Sequence, residues 1–237
     1  MPRAISDYRT LSFDCYGTLI DWETGIEVEL GPWAARHELE FEAVLASFGQ
    51  VETQVQQESP QMRYPQVLAE AFRRIGRGLG IEVGDEEAEE FGGSVGGWPP
   101  FPDSAQALRE LKARFRLAIL SNVDRRSFAL SSEKLGVEFD LIVTAEDVGS
   151  YKPDQRNFLA LFDGLESIGA ERSSLLHVAQ SLFHDHEPAL ALGLETVWID
   201  RRAARGGSGA TPPPPIAVTP TWTFPSMAAF AAAVDGR

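Results

Sequence analysis

An aspartate, Asp14, ends an apolar run in "LSFDCYGTLID" (11–21). Removing that charge from water is costly, so a buried strand that stops on it needs a reason. Three further stretches hold groups suited to a common pocket. Ser121-Asn122 brings a hydroxyl and an amide, Lys152 in "DVGSYKPD" a cation, and Asp185 in "QSLFHD" a second acid. An acidic oxygen, a counter-cation and hydrogen-bonding groups on one rim suffice to hold and attack a small polar molecule. Taken singly, each has a plainer reading: an Asp after an apolar run is often a helix N-cap, and Lys-Pro-Asp and Ser-Asn are common in turns. Their joint occurrence argues for a site.

To bring these groups together the chain must build a sheet whose strand ends meet. Five short apolar runs read as buried parallel strands: 10–14, 116–122, 141–147, 175–180 and 196–200. Between them, 104–115, 125–136, 157–169 and 185–194 have helical spacing, with Gly136 a helix stop. This alternation predicts a doubly wound α/β sheet, in which ligands bind beyond the carboxyl ends of the strands. Each candidate residue lies at such an end. The stretch 21–98 breaks the rhythm, with helical patterning at 40–57 and 65–80 and a Gly/Pro-dense close at 92–103. It is expected to be a helical domain inserted after the first strand, leaving 1–20 and 99–237 as the core domain. The low-complexity run 201–215 is expected to be a solvated connector. The last stretch reads as a helix capped by Ser226.

The composition narrows the partners. The formal net charge is −14, which repels phosphate backbones and anionic lipid, so nucleic acid and membrane are not expected partners. An anionic substrate would need positive charge supplied locally. A single cysteine, Cys15, precludes an internal disulfide and fits a reducing compartment. No run of about 18 apolar residues is present, and the N-terminus lacks a signal-peptide core; a cytoplasmic location is expected.

The four ordered stretches "FDCYGTLID", "LSNVD", "YKPD" and "AQSLFHDHEPA" resemble the four motifs of the haloacid dehalogenase superfamily, with the helical insert in the place of the family's cap domain. The resemblance implies covalent catalysis. Asp14 would attack an electrophilic centre, and water would open the resulting ester or acyl-phosphate. Lys152 would keep Asp14 ionised, since a nearby cation lowers a carboxylate's pKa. Thr18 and Ser121 would donate hydrogen bonds near the nucleophile or the substrate. Backbone N–H groups of Cys15 and Tyr16 would cradle an anionic group.

Two positions choose between branches of that superfamily. Its phosphatases carry a general-acid aspartate two residues after the nucleophile and hold magnesium with acids in "GDSxxxD"; here these positions are Tyr16 and Gln180, and only Asp185 remains. Loss of both acids disfavours phosphoryl transfer, whereas a halide leaves without a proton donor and needs no metal. A tyrosine at position 16 is similar to the L-2-haloacid dehalogenase branch. That likeness implies attack at a carbon bearing halogen, Asp185 positioning or activating water, and Tyr16, Asn122 and Gln180 lining the pocket. Departures exist: Phe158 stands where those enzymes have tyrosine, Leu182 where they have asparagine, and Gly49 or Gln50 where they have a cap arginine. Arg63, Arg125 and Arg126 are the substitutes considered for that arginine. His184 and His186 are expected to lie at the surface or behind the site, since residues two apart on a helix diverge. Trp22 and Trp98 are expected to pack at the junction of core and insert.

The expectation is a metal-free 2-haloacid dehalogenase with no cofactor, acting on a small anionic organic substrate. The insert's apolar face leaves a homodimer open. The alternatives are a magnesium-dependent phosphatase, with Gln180 and Asp185 as ligands, and a catalytically idle binding relative.

Overall fold

The computed structural model describes residues 3–203, 210–234 and 236. Six parallel strands form one sheet: β1 (Thr10–Phe13), β2 (Arg116–Ser121), β3 (Leu141–Thr144), β4 (Leu175–Ala179), β5 (Thr196–Ile199) and β6 (Trp222–Phe224). Their order is β3-β2-β1-β4-β5-β6. Strand order therefore reverses beside β1, and the crevice between the ends of β1 and β4 is the switch point where such sheets bind ligands.

Helices α1 (Trp22–Arg36), α2 (Phe41–Glu58), α3 (Tyr64–Leu79) and α4 (Asp85–Gly93) lie between β1 and β2 in the chain. The remainder alternate with the later strands: α5 (Ser104–Lys112), α6 (Arg125–Leu135), α7 (Ala145–Val148), α8 (Arg156–Ser167), α9 (Glu187–Ala191) and α10 (Met227–Val234). Alternating strand residues serve the two faces of the sheet. Leu117 and Ile119 join the apolar cluster that includes Phe128 and Phe230. Ala118 and Leu120 join the cluster of Phe158, Leu161 and Leu165 from α8. This period of two on a sheet covered on both sides explains the continuous apolar runs.

The inserted helices hold an aromatic centre of their own. Trp33 meets Phe72 edge-on at 5.1 Å, and Phe91 meets Phe48 at 5.9 Å and Phe72 at 5.6 Å. The chain leaves the sheet and returns to it side by side: Asp21 N–H donates to the Pro99 carbonyl at 2.8 Å, and Phe101 N–H to that of Leu19 at 3.0 Å. Trp98 is buried at this crossing, edge-on to Tyr16.

Several expectations change. The run 141–147 splits into β3 and the short α7, because Thr144 and Asp147 form a reciprocal capping box that starts a helix. The helix expected from 185 begins as a π-turn over Leu182–His186. Helices α1 and α4 and strand β6 lacked clear signals: Gly31 and Pro32 break the helical pattern of the sequence although α1 runs through them, α4 is mostly acidic, and β6 has three residues. Ser226 does cap α10, its Oγ accepting from Ala229 N–H at 3.0 Å.

The connector 201–215 is corrected in part; its residues 204–209 lie outside the described residues. Ala210 is buried and Thr211 half-buried, against α2 and the strand ends. A Cβ at Gly49 would stand 1.7 Å from the Ala210 carbonyl oxygen, so residue 49 must be glycine for that backbone to seat. Gly49→Ala is expected to lower stability by about 1–3 kcal/mol through overpacking, read as a lower urea midpoint at unchanged slope. An unaltered midpoint would show that the 210 segment does not rest on α2.

Candidate active site

Asp14 follows β1 directly, its N–H still donating to the Val178 carbonyl of β4 at 3.1 Å. The chain then turns sharply through Gly17, whose φ of +91° is natural to glycine. A side chain there would also press on the indole nitrogen of Trp22 and the amide of Gln180. The turn returns Thr18 to the nucleophile's flank: its Oγ1 donates to Asp14 Oδ2 at 2.7 Å and accepts from Gln180 N–H at 2.9 Å.

Lys152 reaches the same point from the loop after α7. Its ammonium is 2.9 Å from Asp14 Oδ1, 2.7 Å from Asp185 Oδ1 and 2.9 Å from the Leu120 carbonyl, so all three of its protons have acceptors. Asn122 fixes that loop. Its Oδ1 accepts from Lys152 N–H at 2.7 Å and its Nδ2 donates to the Lys152 carbonyl at 3.1 Å. Asp185 Oδ1 also lies 3.0 Å from His177 Nε2, whose Nδ1 is 2.9 Å from Ser12 Oγ. Asp185 Oδ2 has no hydrogen-bond partner within the protein.

The electrostatics of this cluster are uneven. Burial by itself would strip the charge from Lys152, but the two carboxylates more than offset it and its pKa rises. Burial likewise works against an ionised Asp185; Lys152 and His177 overcome it and hold that carboxyl well below the usual range. Asp14 goes the other way. Burial raises its pKa, Lys152 offsets this only in part, and the Asp185 charge adds to the rise. Lys152 orients Asp14 as expected, but it does not bring that pKa below the ordinary value.

A chamber of about 50 Å³ lies over these groups. Asp14, Tyr16, Asn122, Lys152, Gln180 and Asp185 line it from the core side, together with Ser181 and His184. The inserted helices face them with Trp22, Glu52, Gln56 and Tyr64, and Thr211 closes one flank. The Cys15 side chain belongs to the apolar core and not to the chamber wall, which leaves its backbone N–H as the group it can offer. Ser121 and Thr18 are buried just behind the wall, Ser121 Oγ without a protein partner. The Tyr16 hydroxyl is turned away from Asp14, 2.8 Å from Ser131 Oγ of α6, so its ring is what the chamber meets. Gln180 Oε1 accepts from Thr211 at 3.2 Å.

The arginines considered for a halide do not reach the chamber. Arg63 pairs with Glu146 and Arg125 with Asp147, both largely exposed, and Arg126 is exposed as well. The histidine expectation changes for His184 alone, since His186 lies behind the lining. His186 is fully buried against the Ala179 carbonyl and Thr196, and His184 faces the chamber; burial lowers both to about 4. The π-turn widens this helical turn and lets both enter the interior. Trp22 is a chamber wall as well as a junction residue. Leu182 and Phe158 do not line the chamber; Phe158 packs edge-on to His177 at 5.0 Å.

The donor set is a poor match for magnesium, which favours carboxylate oxygens. Both Asp14 oxygens already accept hydrogen bonds from Lys152 and Thr18, and residue 180 is a neutral amide engaged with Thr211. Among the described residues, no three His, Cys, Asp or Glu side chains converge as a metal-ligating group.

Sequence reasoning missed His177, Glu52, Gln56 and Tyr64. Glu52 had a visible signal: it lies four residues after Phe48 and three before Val55, on the buried stripe of α2. His177 sat inside an apolar strand without a recognisable partner in the sequence.

The sequence model of the haloacid dehalogenase-like hydrolases matches residues 8–178. An (S)-2-haloacid dehalogenase of Pseudomonas putida is 28% identical, covering 84% of this chain and 89% of the relative. One from Pseudomonas sp. (strain YL) is also 28% identical, covering 82% and 84%. A solved defluorinating L-2-haloacid dehalogenase superposes with a TM-score of 0.75 at 25% identity, over 99% of both chains.

Two outcomes follow from the shared ammonium. Lys152→Met leaves two buried carboxylates without a counter-charge and is expected to cost about 3–5 kcal/mol in urea unfolding. Wild-type stability in that variant would refute the pairing. Asp185, with its lowered folded pKa, adds stability that is full above the ordinary carboxylate range and is lost as pH falls below it. Asp185→Asn should therefore be less stable at neutral pH and lose less on acidification below about pH 4. Parallel wild-type and variant curves of unfolding free energy against pH would contradict this.

Proposed function

The chain belongs to the haloacid dehalogenase-like hydrolases, and from that premise we propose that it hydrolyses the carbon–halogen bond of a small 2-haloalkanoic acid without a metal ion. The supporting observation is the Asp14–Lys152–Asp185 cluster beneath a chamber whose residues 16 and 180 offer neither a general acid nor a second metal-binding carboxylate. In this reading 21–98 acts as a cap domain over a core of 1–20 and 99–237. The single cysteine is buried and free, in keeping with a cytoplasmic enzyme.

Asp14 attacks the halogen-bearing carbon with inversion; a C–O bond forms, the carbon–halogen bond breaks, and halide leaves with the electron pair. The pKa of Asp14, raised by burial, makes its ionised form a stronger nucleophile than an exposed carboxylate. Esterification removes its charge and leaves Lys152 neutralising Asp185 alone. Water then attacks the Asp14 carboxyl carbon, restoring the carboxylate and releasing the 2-hydroxy acid and a proton. Asp185, ionised and with Oδ2 lacking a protein donor, would orient that water. The lowered pKa makes Asp185 a weak base, so its role is orientation more than proton removal. Tyr16 supplies an apolar ring, Gln180 and Asn122 amides of the lining, Ser121 and Thr18 hydroxyls from behind it, and the backbone N–H groups of Cys15 and Tyr16 a cradle for an anionic group.

Halide release from chloro-, bromo- and fluoroacetate and from 2-halopropionates tests the reading. Wild type should release halide equally with and without a chelator, and Asp14→Asn should lower the rate by at least about 10⁴-fold. Asp185→Asn should accumulate a covalent adduct on Asp14 visible in the intact mass. Magnesium-stimulated hydrolysis of an aryl phosphate, with no halide from any haloacid, would replace this reading with phosphatase activity.

A further inference from the structure

The dehalogenation steps leave three ionisable groups of the chamber lining without a role: Glu52, Tyr64 and His184. Glu52 of α2 is 5% exposed and lines the wall opposite Asp14. Gln56 Nε2 donates to its Oε1 at 2.9 Å, and Tyr64 of α3 is its second hydrogen-bond partner. The titratable groups around it are Tyr64 on α3, Tyr16 after β1, Tyr151 beside Lys152 and, across the chamber, Asp14, Lys152, Asp185 and His184. The single cation of the lining, Lys152, has its three protons committed to other acceptors. Burial without a cation raises Glu52 to about 7.

Nucleophile and leaving group lie in line at a displaced carbon, so attack from the core side sends the anion toward the inserted helices. There the polar groups are Glu52, Gln56, Tyr64 and the indole N–H of Trp22. An ionised Glu52 would repel a departing halide. A protonated Glu52 would not, and it alters what Tyr64 can do. A phenol has one proton to donate and lone pairs to accept with. With Glu52 ionised, the Tyr64 proton is spent on the carboxylate. With Glu52 protonated, Gln56 occupies Oε1, the other oxygen donates to Tyr64 Oη, and the phenolic proton is free to turn into the chamber.

Resting on the dehalogenation reading for the identity of the anion, we propose that Tyr64 is the hydrogen-bond donor that receives the leaving halide, and that Glu52, as a positioning residue, sets whether that donor is available. No proton is transferred: the halide departs as an anion and is hydrogen-bonded. Selectivity among halogens follows, because fluoride accepts hydrogen bonds more strongly than chloride or bromide and gains most from the donor.

Calorimetric titration with sodium chloride tests the pair without turnover, at about pH 5.5 and about pH 8.5, on either side of the Glu52 transition. Wild type should bind chloride about tenfold more tightly at the lower pH. Glu52→Gln keeps the shape and donates permanently to Tyr64, so its chloride affinity should be the same at both. Tyr64→Phe should bind weakly at both, and its rate loss in halide release should be larger for 2-fluoropropionate than for 2-bromopropionate. A wild-type affinity that ignores pH, or a Glu52→Gln affinity that still falls on raising it, overturns the proposal. Failure of wild type to release any halide would instead overturn the dehalogenation reading, with the chloride titration still deciding for or against the Glu52–Tyr64 pair.

Discussion

One ammonium group compensates two buried carboxylates, and the architecture follows from that constraint. Lys152 is 138 residues from Asp14 and 33 from Asp185 in the chain, yet it lies within 3 Å of both. Its third proton goes to the carbonyl of Leu120, so β1, β2, the loop after α7 and the turn after β4 are tied at one atom. A buried charge with no partner costs several kcal/mol; misplacing any of the four segments would strand one. The parallel sheet makes the meeting possible, because its strand order reverses beside β1 and brings the ends of β1 and β4 together.

Sharing one cation between two acids also differentiates them. Asp185 has the shorter contact and the additional His177 bond, and its carboxyl falls below the usual range. Asp14 is left with the remainder of the cation's influence, and its pKa rises. The pair thus contains one basic carboxylate at the chamber floor and one that resists protonation beside it. A covalent route needs such a division, with one group that bonds to carbon and another that stays ionised while the first is esterified.

The core was legible because its signals are local. Apolar runs ending in Asp14, Ser121 or Gln180, separated by helical stripes, can be read without knowing what they touch. Charge contacts were legible only as far as motif order implied them, which placed Lys152 beside Asp14 and did not show its bond to Asp185. His177 was unreadable for a related reason: an imidazole in an apolar strand makes sense only once Ser12 and Asp185 flank it. Tyr16 lines the chamber, but the direction of its hydroxyl toward Ser131 depends on where α6 packs and could not be read from the sequence. Low complexity misled at 201–215, where composition suggested solvent and Ala210 is buried.

Gly49 links the inserted-helix side of the chamber to that connector. A side chain at 49 would collide with the Ala210 carbonyl, while Ala210 N–H donates to Glu23 and Thr211 to Gln180. An arginine at this position and the seated connector are therefore mutually exclusive. With the connector seated, the inserted helices present a neutral or acidic face to the chamber, and the overall charge of −14 offers no cation by default. Donors then have to come from groups that are uncharged, a phenol, an amide and an indole, and a phenol bonded to a carboxyl donates outward only when that carboxyl holds a proton. The absence of a cation on this side of the chamber lining thus makes the burial of Glu52 chemically consequential.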